Sequence, residues 1–396
     1  MKRLSSFLLL ALLSLTGTYA QSSSGFIGDG YYRICNSGSS RYIYVTDNKD
    51  ESDIIRMAGD FQAIQLWKEQ DRTVPDPSSV IYIDEVSSGL FDLTGQGTGI
   101  HSLTGYYVSV KKAVDGTYSV SVSRSGVTKY LTDNETSSSA QGMMGTNGTG
   151  KYRYWKVDKM TTDHATNYFG VKPTLAADGK FYQPFYAAFP FRAVSPDMHI
   201  YVIDGVVAGN VASMKEITGD VPASTPVIIE CASENPSDNR LELLSPTSAI
   251  APVGSNLLGG VYFCNGKRPE SSKDAYTKFD PATMRVLSVV NGNLVLTNDA
   301  PERLNELKVV DWTTYMQVKV KCLPANTSYF KAGADTPDVL LLSSDADGIA
   351  EIRSEQKQAS AEGVYSISGT RLRATSDLQG LPAGVYIVNG KKTAIQ

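Results

Sequence analysis

Two short clusters in the first half of the chain carry the same side-chain types in the same order: Tyr44, Asp47 and Asn48, then Tyr130, Asp133 and Asn134. An aromatic face stacks on apolar C–H groups, while carboxylate and amide groups hydrogen-bond hydroxyls, so these six are the candidate binding residues for a polyhydroxylated ligand. The pattern has a second reading, in which Tyr44 and Tyr130 alternate inward as core and the two Asp-Asn pairs make turns. Catalytic chemistry finds less support. The three histidines are scattered, His101 in a Gly-rich turn region, His164 after Thr-Asp, and His199 at the start of a strand. No Gly-x-Ser-x-Gly, His-Glu-x-x-His or Cys–His pairing accompanies them, which leaves serine, zinc and thiol hydrolase mechanisms without their motifs. A glycosidase needs only two carboxyl groups, and 41 acidic residues always offer candidates. No catalytic residue and no cofactor is assigned.

The four cysteines, Cys35, Cys231, Cys264 and Cys322, contain no Cys-x-x-Cys pair and therefore no metal-ligand spacing. Each lies in a strand-like run, where a free thiol acts as a small apolar side chain. An oxidising compartment permits a disulfide, for which two of the last three are the better partners. Ser343-Ser-Asp345-Ala-Asp347-Gly348 resembles a calcium loop only faintly, because the first Asp is missing and Ser354 stands where the bidentate Glu belongs. The acidic turn from Asp47 to Asp53 reads as a solvated loop. No metal site is assigned.

The elements that must position these residues are strands. Tyr32 to Asn48 matches Tyr118 to Asn134 without a gap at an offset of 86 residues, and Trp67 is answered by Trp155 at an offset of 88. Each copy reads as strand, turn, strand, long excursion and a Trp strand, with both tryptophans expected in the core. Ile81-Tyr-Ile-Asp84 and Tyr106-Tyr-Val-Ser-Val110 supply a degenerate copy between them. Threefold repetition of a four-strand unit of about 40 residues resembles the β-trefoil, and Gln65-Leu66-Trp67 resembles the Gln-x-Trp of ricin-type lectin repeats. The resemblance covers residues 30–160 and implies a closed barrel and a glycan ligand. One departure is that Tyr44 and Tyr130 stand where ricin-type repeats place the ligand Asp.

Beyond Met160 many short strands are punctuated by Gly, Pro and Asn, which predicts a β-sandwich over residues 161–342. Within it Val221-Pro-Ala-Ser-Thr225 is echoed by Leu323-Pro-Ala-Asn-Thr327, each just before a strand, and the pair reads as two structural corners. This stretch resembles sandwich segments found beside variable N-terminal modules in secreted Bacteroidetes proteins. Residues 343–361 are polar and poor in aromatics, as a linker is. The tail, residues 362–396, carries Val364-Tyr-Ser-Ile-Ser-Gly-Thr-Arg-Leu372 and Leu381-Pro-Ala-Gly-Val-Tyr-Ile-Val-Asn-Gly-Lys-Lys392. It resembles the type IX sorting segment of Bacteroidetes secreted proteins, and is shorter than a complete sorting domain. The expected fold class is thus all-β: a trefoil-like barrel, a sandwich-like region and a short β-hairpin tail. The resemblances imply glycans or host surface molecules and the outer-membrane secretion machinery as partners. They make the chain a noncatalytic binding or adhesion protein, with a carboxylate-pair hydrolase or its accessory, and a trefoil protease inhibitor, as alternatives.

Composition and the first residues agree with a secreted or cell-surface location. Lys2 and Arg3 precede an apolar run from Phe7 to Leu15, and Thr18-Tyr19-Ala20 sets small residues three and one before a cut, so residues 1–20 read as a signal peptide and 21–29 as a short linker. No later stretch is long and apolar enough to span a bilayer. Taking Lys2 and Arg3 from the 37 basic residues leaves 35 against 41 acidic ones, a formal charge near −6, which disfavours nucleic acid as a partner. Mass spectrometry of secreted material should find Gln21, cyclised to pyroglutamate, at the N-terminus; an intact Met1 contradicts the signal-peptide reading.

Overall fold

In a computed structural model of the chain, the described residues are 28–45, 64–67, 73–96, 107–133, 142–145, 150–343 and 363–395, apart from gaps at 125, 164, 166, 208, 265–275, 312, 367–370, 374, 376 and 389–390. The signal peptide, Asp47, Asn48, Asn134, His101, His164 and the linker beyond Ser343 lie outside them, as does the side chain of Trp67. The architecture is all-β, with several curled sheets. No helix among the described residues is long and apolar enough to cross a membrane.

Six strands of the first half close into an antiparallel ring. Gly30–Asn36 pairs on one side with Trp155–Lys159 and on the other with Ile81–Ser87. Ile81–Ser87 continues into Leu90–Thr94, Phe91 and Val108 exchange two backbone hydrogen bonds of 2.8 Å, Ser109–Lys112 pairs with Tyr118–Arg124, and Tyr118 meets Trp155 to complete the circuit. Closure follows from the period of two: Tyr32, Ile34, Ile81, Ile83, Val120 and Val157 all turn into one buried cluster while their neighbours face out. Trp155 sits in that cluster fully buried, its indole N–H donating to the Leu131 carbonyl at 3.0 Å.

Two outer hairpins hang from the ring. Tyr42–Val45 with Ile64–Trp67 follows the first ring strand, and Val127–Asp133 with Gly142–Gly145 follows Tyr118–Arg124. The two matched segments, 32–48 and 118–134, thus begin alike, each with a ring strand that turns into a hairpin strand. The tryptophans do not correspond. Trp67 lies on the returning strand of a hairpin, opposite Tyr42, whereas Trp155 lies one strand further on, in the ring opposite Asn36. Excursions of different length in the two copies bring unlike strands to nearly the same sequence offset.

The second half is built on a ten-stranded sheet. Its order is Leu175–Ala177, Lys180–Phe185, Val227–Cys231, His199–Val207, Val211–Glu216, Val339–Ser343, Asn293–Thr297, Met284–Val290, Thr327–Lys331 and Leu258–Val261. All neighbours are antiparallel except Val211–Glu216 beside Val339–Ser343. A three-stranded sheet of Phe169–Gly170, Arg240–Leu243 and Phe191–Ala193 lies beside it. The two Pro-Ala corners behave alike: Ser224 and Asn326 both take the left-handed conformation, φ 60° and 56°, Asn326 directly before its strand and Ser224 with Thr225 and Pro226 between it and Val227. The Ser328 hydroxyl then donates to the Val227 carbonyl at 2.7 Å and ties those strands together. Asn305–Asp311 and Met316–Cys322 form a separate two-stranded hairpin. The tail is larger than the expected hairpin. Val364–Ser366 and Gly384–Val388 pair as the sequence suggested, and Arg371–Arg373 and Lys391–Ile395 extend them into a four-stranded sheet.

Ring and central sheets share a core. Tyr31 and Val80 from the ring pack into the cluster holding Phe169, Phe185, Phe189 and Phe191, whose rings meet edge to face. At the centre of this junction Arg33, 2% exposed, uses every guanidinium donor: Nε to Ser79 Oγ (3.1 Å), Nη1 to Asn167 Oδ1 (3.1 Å) and the Tyr168 carbonyl (2.8 Å), Nη2 to the Thr73 and Val74 carbonyls (both 3.1 Å). Every one of these acceptors is uncharged. Burial lowers its pKa to about 10, so it still carries its charge at neutral pH. Gln96 makes a second polar tie, donating to Asn326 Oδ1 (2.7 Å) and accepting from the Ala188 N–H (2.8 Å).

Replacing Arg33 with Met strands those buried acceptors and should cost about 3 kcal/mol or more. Trp155→Ala should cost about 3 to 5 kcal/mol through the cavity it leaves. Urea unfolding checks both. A change within about 0.5 kcal/mol for Arg33→Met, typical of a surface site, contradicts its role at the junction.

Candidate functional site

The repeated Tyr, Asp and Asn types are not gathered into two like clusters among the described residues. Tyr44 is buried, with its hydroxyl bonded to Thr73 Oγ1. The Asp133 side chain is fully buried and held by the Arg41 guanidinium, with Nε to Oδ2 at 2.8 Å, and by the Ser39 hydroxyl. Asp133 thereby ties the second outer hairpin to the turn after the first ring strand. Tyr130 is half-buried beneath the Arg153 guanidinium, 3.4 Å from its ring centre. Asp47, Asn48 and Asn134 lie outside the described residues.

Other reactive types are accounted for as well. His199 is exposed and bonds Glu216 through Nδ1 at 2.8 Å. No disulfide joins the four cysteines among the described residues, and burial raises Cys35 to about 11 and Cys231 to about 12, which keeps both as neutral thiols at physiological pH. No group of three His, Cys, Asp or Glu residues that could hold a metal ion occurs among the described residues.

A cleft of about 490 Å³ opens where the ring meets the three-stranded sheet. Strand alternation supplies its ring side. Ile81 and Ile83 turn into the ring, so Tyr82 and Asp84 face out into the cleft; Tyr32 and Ile34 turn in, so Tyr31 faces out beside them. Tyr31 lies opposite Tyr82 in the pairing, ring centres 5.0 Å apart, and meets Phe189 edge-on. Lys159, Thr161 and Thr162 complete that wall, and Phe169, Leu241, Glu242, Leu243, Ser245 and Thr247 form the opposite one.

Its polar groups are partly spoken for. Burial, followed by the charge of the neighbouring Asp29, raises the Asp84 pKa above the usual carboxylate range. Asp29 Oδ1 also accepts the Glu85 N–H at 2.9 Å. Lys159 donates to the Asp29 carbonyl at 3.1 Å, and its stem crosses where a Cβ on Gly30, φ +154°, would stand 2.8 Å from Cε. Arg192 binds Glu242 at 2.8 Å. Tyr82 has its pKa raised, first by burial and then by Asp84 and Asp29. The Tyr31 hydroxyl, on a residue 8% exposed, has no hydrogen-bond partner among the described residues.

Two tyrosine rings, two carboxyl groups and several hydroxyls line the cleft and offer stacking and hydrogen bonds. Sequence reasoning passed over Asp29, Tyr31, Tyr82, Asp84 and Lys159. The signal available was the alternation in Ile81-Tyr-Ile-Asp84, which leaves an aromatic ring and a carboxylate on the face away from the core. No protein-family model matches the chain, and no curated protein is significantly similar to it.

Proposed function

We propose that the chain is an exported, noncatalytic protein of the cell surface or surroundings that binds glycans, with the cleft between ring and three-stranded sheet as its binding site. The observation that carries this reading is the combination of Tyr31, Tyr82, Asp29, Asp84 and Thr and Ser hydroxyls around a space of about 490 Å³, the size of a small saccharide unit. Burial of the Asp133 carboxylate under Arg41 favours the cleft over the repeated Tyr-Asp-Asn positions.

The fold readings belong to the same proposal. A closed ring of six strands with two outer hairpins supports a β-trefoil, and a curled ten-stranded sheet beside a three-stranded one supports a sandwich-like partner. Residues 1–20 support export. The four-stranded tail with its Gly384-Val-Tyr-Ile-Val388 strand supports a sorting segment of the type IX kind.

On a glycan array the mature chain, residues 21–396, should bind saccharides without releasing reducing sugar. Tyr82→Ala should weaken that binding about tenfold, roughly 1.4 kcal/mol. Turnover, or binding indifferent to Tyr82, contradicts the reading. Deleting residues 362–396 should leave the melting of the remaining chain nearly unchanged while the protein accumulates in the periplasm; surface delivery that survives the deletion contradicts the sorting role.

A further inference from the structure

Arginines in this fold are otherwise matched to acceptors: every other arginine whose side chain is described donates to at least one oxygen. Arg153 donates to none. It ends the single helical turn Gly150–Arg153 and is half-buried; its Nε is covered, and no hydrogen bond or ion pair from any of its nitrogens occurs among the described residues. What holds it is aromatic. The guanidinium carbon lies 3.4 Å from the centre of the Tyr130 ring and 5.8 Å from that of Tyr154, so two π faces stabilise the charge. The backbone on either side is fixed to the turn after the first ring strand: Asn36 Nδ2 donates to the Tyr152 carbonyl and the Ser37 N–H to the Tyr154 carbonyl, both at 2.8 Å. Opposite Tyr130 in the pairing stands Gly145, which has no side chain to cover the ring. Asp133, the one carboxylate of strand Val127–Asp133, is fully buried and taken by Arg41 and Ser39. The protein thus positions a cation at its surface and supplies no countercharge to it among the described residues.

We propose that Arg153, held on Tyr130 and Tyr154, binds the oxyanion of an acidic saccharide, a uronate carboxylate or a sulfate ester, at a second contact point apart from the cleft. The inference takes from the proposed function only that the ligand is a glycan. Arg153 stands just before the last ring strand, Trp155–Lys159, whose far end, Lys159, lines the cleft, so the two places are separate. A guanidinium resting on a ring has its flat face covered and its edge free, and that edge presents parallel N–H donors spaced to meet two oxygens of one carboxylate or sulfate. A neutral hydroxyl accepts a hydrogen bond there without supplying the charge. Tyr154, half-buried beside the guanidinium, adds an aromatic surface for the C–H face of the sugar. Tyr130 then acts as the support of the cation and not as a stacking face for the ligand.

Titration calorimetry of the mature chain at neutral pH with trigalacturonate, its methyl ester and a sulfated galactose trisaccharide tests the inference. At least one of the two acidic sugars should bind about tenfold more tightly than the methyl ester, and the tighter of them names the group recognised. R153Q should abolish that preference, and R153K should keep only part of it, because an ammonium group retains the charge without the fork. Labelling with phenylglyoxal, an arginine reagent, followed by peptide mass mapping reads the same contact on the unaltered chain and decides the question where a variant fails to fold: the preferred acidic sugar should shield Arg153, and the methyl ester should not. Equal affinity for all three sugars, binding of none of them, a preference that R153Q leaves intact, or labelling of Arg153 that neither acidic sugar slows, overturns the inference. Weakening of all three sugars by Tyr82→Ala with no effect of R153Q overturns it too, and leaves the cleft reading standing.

Discussion

The Arg33 guanidinium is the point on which the two halves of this protein depend. It sits on the first ring strand, faces away from the ring core, and finds its five acceptors on the 73–79 turn and on Asn167 and Tyr168, just before the three-stranded sheet. A buried charge is costly unless every donor is met, so the arrangement fixes these segments together or not at all. Asn167 returns the constraint by donating to the Asp158 and Lys159 carbonyls, which places the end of the last ring strand as well. The cleft is lined by the start of the first ring strand, by Lys159 to Thr162 and by Phe169, next to the segments that Arg33 joins. Its geometry is therefore a consequence of the junction rather than of either half alone.

Strand alternation then divides the labour along the ring. On Ile81–Ser87 and Gly30–Asn36 the inward residues are aliphatic or aromatic and close the ring, and the outward ones, Tyr31, Arg33, Tyr82 and Asp84, make the junction and the cleft. A one-residue slip of either strand would exchange the two sets. The buried pair of Arg41 and Asp133 does for the outer hairpins what Arg33 does for the junction, with the difference that its charges are balanced within the pair.

Much of the framework was legible in the sequence. The match between 32–48 and 118–134 marks two equivalent ring strands, the two Pro-Ala corners both precede strands through a left-handed residue, and Val364–Ser366 does pair with Gly384–Val388. Other features were not legible, for physical reasons. Trp67 and Trp155 share an offset and not a place, because loop length moves a residue along the sequence without moving it in the fold. Arg33 and Gln96 look like ordinary polar residues until partners up to 135 and 230 positions away arrive. Asp133 has the composition of a ligand residue, yet its carboxylate is spent on Arg41, which no local pattern announces.

The central claim is that a glycan is held in the cleft beside the junction. Hydrogen–deuterium exchange with and without a saturating neutral glycan recovered from the array measures this most directly. The account predicts slowed exchange confined to Gly30–Asn36, Ile81–Ser87 and Arg240–Leu243, the strands whose residues line the cleft. Protection at Val127–Asp133 and its hairpin, with the cleft strands unchanged, would contradict it.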